Sequence, residues 1–289
     1  MKKDKSPNFI LHAKSDEFHW EGVGQLSIKT FSGGRALYKT NKGFFAVEEN
    51  RYLVLNEGDY TIAIDEVQEV ESFCLFFHHG FAEEVYRTLT DTSDQLLTDP
   101  DRDKESLGFF EKTYEMSPGL FTLLQNMKQQ YPDKKHDRLW LEEQFHQTMQ
   151  HLLSAHQLAG QEMEPIQMLR SSTKEELYRR VAIADEFIRA FYKVQIQLKD
   201  IAQTACMSTN HLLRCYKQVY GKTPHQQLAE LRMLEAKKQL ANVEWTITDI
   251  GLTLGFQSPA SFSKAFKLAT GTSPLDYRKK VILDKKSST

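Results

Sequence analysis

Two stretches, LKDIAQTACMSTNHLLRCYKQVYGKTP (198–224) and ITDIGLTLGFQSPASFSKAFKLATGTSP (247–274), carry one pattern twice. Asp200, Ile201, Cys206 and Met207 recur 49 residues later as Asp249, Ile250, Gly255 and Phe256. Ser208, Leu212, Tyr216, Gly221 and Pro224 recur 50 residues later as Ser258, Phe262, Phe266, Gly271 and Pro274. The offset slips by one at a single point, in the turn between two helices, where an extra residue costs least. Each copy reads as a short helix, a tight turn and a second helix. In the second copy Thr246 caps a helix from Ile247 to Leu254, and Gly255 suits the left-handed position that ends it. Ser258 caps the next helix with Pro259 at its first position, Gly271 closes it, and Ser273-Pro274 starts another. Phe262 and Phe266 lie four residues apart and face inward with Ile250 and Phe256. The first copy does the same with Ser208 as cap, Leu212 and Tyr216 inside and Gly221 as terminator. A helix from Pro224 to about Ala241 joins the two.

A helix-turn-helix places its second helix in a major groove about 12 Å wide, N-terminal residues toward the base edges. On the outward face the first copy presents Thr209, Asn210, Leu213, Arg214 and Lys217. The second presents Pro259, Ala260, Ser261, Lys264 and Lys267, with Ser258 at the head of the helix. Arg214 and Lys264 occupy equivalent positions, where a long cation reaches guanine O6/N7 or a phosphate. Asn210 can pair with adenine, and Ala260 and Ser261 can touch a thymine methyl. Charge agrees with this reading. Across 289 residues the net charge is only −2, but residues 1–172 hold 18 Lys+Arg against 28 Asp+Glu and residues 173–289 hold 19 against 11. An acidic half is thus joined to a basic one suited to a polyanion, here double-stranded DNA.

The region 175–280 resembles the AraC/XylS family of bacterial transcription regulators, and GFQSPASFSKAFKLATGTSPLDYR (255–278) is close to that family's signature. The resemblance implies a seven-helix DNA-binding domain whose two recognition helices enter successive major grooves on one face of DNA. The linker helix corresponds to HQQLAELRMLEAKKQLA (225–241), with Arg232, Ala236 and Leu240 at the usual positions. By carry-over, Asn210, Leu213 and Arg214 match the base-reading sites of the first recognition helix. Pro259, Ala260, Ser261 and Lys264 match those of the second. Departures are Cys206 where glycine is commoner, Gln197 where a Ser or Thr cap is usual, and Gly251 in place of a frequent alanine, a change that weakens a helix by ~1 kcal/mol. Pro259 and Ala260 are also poor hydrogen-bonders.

The first eighty residues read as strands. RALYKT (35–40), GFFAVEEN (43–50), RYLVLNEG (51–58) and YTIAID (60–65) are short and separated by turn formers. Tyr60, Ile62 and Ile64 alternate with Thr61, Ala63 and Asp65, and Gly58 is free to take positive φ in the turn before them. ESFCLFFHH (71–79) is almost wholly apolar, as in a strand covered on both faces. FAEEVYRTL (81–89) reads as a helix, 91–106 as a loop and Phe109–Glu115 as a return to strand. Ser117-Pro118 opens a helix carrying Leu120, Leu123, Leu124 and Met127. The helix from Arg138 to Leu158 spaces Leu141, Phe145, Met149 (or Thr148) and Leu152, to cover the sheet or to meet a second copy. Thr173-Lys174-Glu175-Glu176 reads as a capping box for a helix to about Phe191.

The expected fold is therefore α+β: a small N-terminal β-barrel with flanking helices (1–160), a linker (161–172) and an all-α domain (173–289). About seven helices are expected there, with helix-turn-helix units at 198–221 and 247–271. RYLVLNEGDYTIAID (51–65) loosely resembles the cupin-like sensor domains that precede this module in many members of the family.

Other function classes find little support. Adjacent His78 and His79 point to opposite faces if they lie on a strand, which cannot chelate one ion. The remaining histidines are scattered, no nucleophile elbow, P-loop or dinucleotide fingerprint is present, and neither enzyme activity nor a metal or cofactor is expected. Cys74, Cys206 and Cys215 form no disulfide framework. Phe9-Ile10-Leu11 is too short for a secretory core and no apolar run suits a membrane span, so a cytoplasmic protein is expected. Three readings remain: a transcription regulator, expected to be an activator contacting RNA polymerase, with an effector-binding or dimerising N-terminal domain; a non-sensing regulator whose N-terminal domain only dimerises or docks a partner; and a DNA-directed enzyme.

Overall fold

The computed structural model describes residues 7–92, 107–161 and 171–287 and divides into two compact units, Met1–Gln167 and Met168–Thr289. The first holds strands β1 (Phe9–Gly24), β2 (Ser27–Ser32), β3 (Ala36–Thr40), β4 (Gly43–Val47), β5 (Arg51–Leu55), β6 (Gly58–Phe76) and β7 (Thr113–Glu115). They form one antiparallel sheet in the order β4-β3-β6-β2-β5-β7, with β1 also on β6, curled into a nearly closed barrel. β6 organises it. One edge pairs with β1 from Phe9↔Phe76 to Gly24↔Gly58, while the other takes β3 at residues 60–63 and β2 at residues 71–76.

Alternation along the strands builds two cores, since successive side chains point to opposite faces. Phe31, Tyr38, Phe45, Leu53, Leu55, Ile62, Cys74 and Phe76 fill the barrel interior. Ile28, Tyr52, Val54, Phe73 and Leu75 face outward beneath the helices α1 (Phe81–Thr90), α2 (Pro118–Lys134) and α3 (Arg138–Gln161). From α2 come Leu120, Leu124 and Met127; from α3 come Phe145, Met149, Leu152 and Leu153. The apolar stripe of α3 is thus spent on the sheet. The Ser117 hydroxyl accepts from Leu120 N–H and Pro118 takes the first turn of α2, as the sequence suggested.

Several boundaries differ from expectation. YTIAID and ESFCLFFHH are parts of one bent strand that ends at Phe76, so His78 and His79 lie beyond it in the approach to α1. His78 Nδ1 is 3.0 Å from the His79 carbonyl, and His79 Nδ1 is 3.1 Å from Glu57. The strand expected over Phe109–Glu115 is reduced to β7. Of the expected loop 91–106, residues 93–106 lie outside the described residues, as do residues 162–170 of the linker. Helix α3 runs to Gln161 and α4 (Ser171–Phe191) is already helical two residues before Thr173, so Thr173 sits inside the helix rather than capping it.

One polar cluster ties α2 to the sheet. Glu71 on β6 pairs with Lys128 on α2, lies 2.8 Å from His12 on β1 and accepts from Ser32 on β2 at 3.2 Å. Partial burial pushes its carboxyl pKa up, but the hydrogen bonds from Lys128, His12 and Ser32 outweigh that and hold it at about 2.

The second unit holds seven helices among the described residues: α4, α5 (Leu198–Thr204), α6 (Thr209–Tyr220), α7 (Pro224–Leu240), α8 (Ile247–Thr253), α9 (Pro259–Thr270) and α10 (Pro274–Ser287). Helix α4 packs on α5, α6 and α7, while α7 packs on α8 and α10 and α9 joins those two. Helix α7 therefore closes the first trio and opens the second. Leu212, Tyr216, Ile250, Phe262 and Phe266 are fully buried, as their spacing predicts. A Cβ on Gly251 would stand 3.0 Å from Phe262 Cβ and 3.2 Å from its ring. The corresponding pair in the first copy is Ala202 with Leu212, both buried. The glycine that costs α8 some helix propensity makes room for the larger ring.

Two outcomes test these packing arguments. The Glu71 carboxylate, held below its usual range near 4.5, stabilises the fold fully above that range and loses this contribution as pH falls toward about 2. Glu71→Gln should therefore be less stable at neutral pH, with its stability deficit shrinking between pH 4.5 and 2 when followed by circular dichroism; a constant deficit would count against the cluster. Gly251→Ala should gain up to ~1 kcal/mol in helix propensity but lose ~1–3 kcal/mol to overpacking, for a net fall in melting temperature. Adding Phe262→Leu should recover part of that fall, a coupling that melting curves of the four proteins measure.

Candidate nucleic-acid interface

The turns of both units are locked by backbone chemistry. The Met207 N–H donates back to the Ala202 carbonyl at 2.9 Å, and the Phe256 N–H to the Gly251 carbonyl at 3.1 Å. These bonds close each first helix around a left-handed residue, Cys206 at φ 52 and Gly255 at φ 74. A side chain at Gly255 would meet the Arg232 guanidinium at 2.7 Å and the Lys193 carbonyl at 3.1 Å. Cys206 is exposed, so its side chain has space and only the backbone preference opposes it, by ~1–2 kcal/mol. The recognition helices start alike. Ser208 accepts from His211 N–H, Ser258 accepts from Ser261 N–H with Pro259 in the first turn, and Gly221 and Gly271 end them at φ 70 and 77. At Gln197 the cap works through Asp200, whose carboxylate accepts from the Gln197 backbone N–H at 2.8 Å.

Buried polar bonds set the pose of α6. Asp185 on α4 accepts from the Tyr216 hydroxyl at 2.5 Å and from Arg189 Nε at 2.7 Å. Burial works against the Arg189 charge, yet Asp185 and Glu186 beside it raise its pKa above the usual value. Burial also pushes the Tyr216 pKa up, and the adjacent Asp185 pushes it further, so the hydroxyl remains a donor. A buried carboxylate satisfied in this way fixes orientation, because removing either partner leaves a desolvated charge. Arginines repeat a second device. Arg232 on α7 donates to the Tyr192 and Val194 carbonyls, both at 2.8 Å. Arg278 on α10 donates to the Leu240 carbonyl at 3.3 Å and the Trp245 carbonyl at 2.7 Å. Each thus binds carbonyls at or after the end of the helix that precedes a helix-turn-helix. Arg180 adds a bond at the first turn, donating to the Cys206 carbonyl at 3.0 Å. Sequence reading passed over Asp185, Arg189 and Arg180; the only hint was the Asp-x-x-x-Arg spacing on α4.

Asn210, Arg214, Lys217, Pro259, Ala260, Ser261, Lys264 and Lys267 are exposed, while Thr209, Leu213 and Ser258 are half-buried. The hydroxyls of Ser258 and Ser261 are engaged in the cap of α9, since Ser261 Oγ donates to the Ser258 carbonyl at 2.7 Å. Among the described residues no carboxylate forms an ion pair with Arg214, Lys217, Lys264 or Lys267. Some cations elsewhere in the unit are paired: Lys222 with Glu230, Arg179 with Glu175 and Arg180 with Glu176. The outward faces of α6 and α9 thus keep uncommitted positive charge.

Known proteins match the helical unit in sequence. A family model described as a helix-turn-helix domain matches residues 201–280. A Proteus vulgaris protein named as the probable transcription factor PqrA is 36% identical over 83 residues, covering 29% of this chain and 68% of that protein. The lactose operon transcription activator of Staphylococcus xylosus is 30% identical over 95 residues, covering 33% of this chain and 34% of that one. A solved regulator with an AraC-type DNA-binding domain from Chromobacterium violaceum aligns at 26% identity and a TM-score of 0.32, over 39% of this chain and 96% of that one. Several curated relatives are matched over only 33% to 58% of their own length. Duplicated, capped helix pairs, a matching domain model and a relative aligned over two-thirds of its length lead to one assignment: the chain belongs to the AraC family of helix-turn-helix transcription regulators.

Proposed function

We propose that the protein is a sequence-specific DNA-binding regulator that reads two successive major grooves with α6 and α9. The observation that carries this reading is the repeated outward face, on two helices that each start on a serine cap and end on a glycine, whose Arg214, Lys217, Lys264 and Lys267 have no carboxylate partner among the described residues. Base readout falls to Asn210, Leu213 and Arg214 on α6 and to Pro259, Ala260, Ser261 and Lys264 on α9. Thr209, Lys217, Ser258 and Lys267 contact the phosphate backbone. The N-terminal unit controls binding through a small effector, dimerisation or both. An apolar cavity of about 480 Å³ in that unit favours an effector over a purely dimerising role. We take the output to be activation, in line with the name of the Staphylococcus xylosus relative, and RNA polymerase to be the partner it acts on.

The test is selection of duplexes from a random library by the full chain, followed by salt titration of the selected site. Affinity for that site should fall with salt as counterions are released. No salt-sensitive preference for any duplex would reject the reading. Arg214→Ala should cost ~1–3 kcal/mol on the selected site and little on random DNA, because base contacts specify. Lys217→Ala should weaken both alike and flatten the log–log salt dependence by about one unit. Equal losses for Arg214→Ala on both DNAs would move that residue to the backbone.

A further inference from the structure

The barrel interior contains a charge that stability alone does not explain. Lys29 on β2 points inward and is only 2% exposed. Its ammonium donates to the Tyr60 hydroxyl at 3.1 Å and lies 3.7 Å from the centroid of the Phe76 ring. Among the described residues no carboxylate pairs with it, and the titratable groups beside it are the Tyr60 hydroxyl and the Cys74 thiol. The residues lining the adjoining cavity include Lys29 and Lys14 but no Asp or Glu. Buried ammonium groups are normally paired, and an apolar residue of similar length would cost less here. One neutral hydroxyl and the faces of aromatic rings recover only part of the lost hydration. Burial pulls the Lys29 pKa down to about 8, which still leaves it mostly protonated at neutral pH.

The rest of the cavity is mostly apolar, with Lys14, Ser15, Gln25 and Ser72 as its other polar side chains apart from the tyrosines. Strand β1 forms one wall with Phe9, Leu11, Phe18 and Trp20, which remain 42%, 41%, 44% and 37% exposed. Large apolar side chains left open beside a cavity are surface that an occupant would remove from water. Gln25, also at the cavity, has a buried amide oxygen without a hydrogen-bond partner. A phosphate would need more donors than this site offers, and a sugar more polar groups. A single buried cation at one end of an aromatic chamber fits one negative group on an apolar body.

Building on the effector reading above, we propose that this cavity binds a small apolar monocarboxylate, its carboxylate on the Lys29 ammonium and Tyr60 hydroxyl and its body against the rings of β1 and the barrel wall. The ammonium keeps N–H donors beyond the one given to Tyr60. A carboxylate on them forms charge-assisted bonds in a low-dielectric site, where such bonds are strongest. The body takes the place of water over the rings.

The experiment is calorimetric titration of the full chain with two matched pairs, octanoate with 1-octanol and 4-ethylbenzoate with 4-ethylbenzyl alcohol. At least one acid should bind about tenfold or more tightly than its alcohol, and the pair that binds identifies the body as aliphatic or aromatic. Lys29→Met should remove the acid's advantage over its alcohol. Its unliganded melting temperature should equal or exceed that of the parent, which shows that the fold survives. Equal binding of acid and alcohol, binding of the alcohols alone, or an acid preference that persists in Lys29→Met would overturn the carboxylate while leaving a cavity that takes small molecules. Failure of all four compounds to bind would overturn the carboxylate and the cavity's role as an effector site together.

Discussion

Each helix pair of the C-terminal unit turns on one residue held in left-handed backbone, and the outward presentation of α6 and α9 depends on that turn. At Cys206 and Gly255 the chain reverses within two or three residues and the next helix begins at once on a serine cap. A looser turn would let the second helix rotate, and its outward face would no longer be defined. Arginines then fix the surroundings. Arg180 holds the Cys206 carbonyl, while Arg232 and Arg278 bind the carbonyls that precede each pair. The duplication therefore extends beyond the two helices to the guanidinium clamps around them. This explains why α7 can serve both trios.

The two units use buried charge in opposite ways. Asp185 is enclosed by Arg189 and Tyr216, and its hydrogen bonds make it a fixed anchor for α6. Lys29 is enclosed by rings, one hydroxyl and the Cys74 thiol, beside a mostly apolar cavity and with no carboxylate partner among the described residues. A satisfied buried ion contributes orientation; an incompletely satisfied one favours whatever supplies the missing charge. The contrast lies in the partners, since burial is similar.

Legibility differed sharply between the halves. Helix caps, terminators and inward rings of the second unit are local signals, and Ser208, Gly221, Ser258, Pro259 and Gly271 all mark ends where the structure has them. The long strand β1 gave no such signal. Its cavity-facing residues begin as Phe9, Leu11 and Ala13, and after the register shift between Ser15 and Glu17 continue as Phe18 and Trp20. A bulge reverses the phase of a period-two pattern, so neither half is long enough to stand out. β6 was divided for a related reason: its middle, Glu66-Val67-Gln68-Glu69, is mostly polar and exposed, and this separated two apolar runs that belong to one strand.

The amino-acid sequence by itself determined the duplicated helix pairs, their caps and which side chains face in or out, because these follow from bonds and contacts within a few residues. It also placed Arg214, Lys217, Lys264 and Lys267 on the outward faces, since helical spacing alone sets that. Only the tertiary structure decided which charges are neutralised. Asp185 finds Tyr216 across 31 residues, Glu71 finds Lys128 across 57, and Lys29 meets rings from β3 and β6 instead of a carboxylate. The physical reason is that desolvation and pairing depend on what the fold brings within a few ångströms, and that distance is not encoded at any one place in the chain.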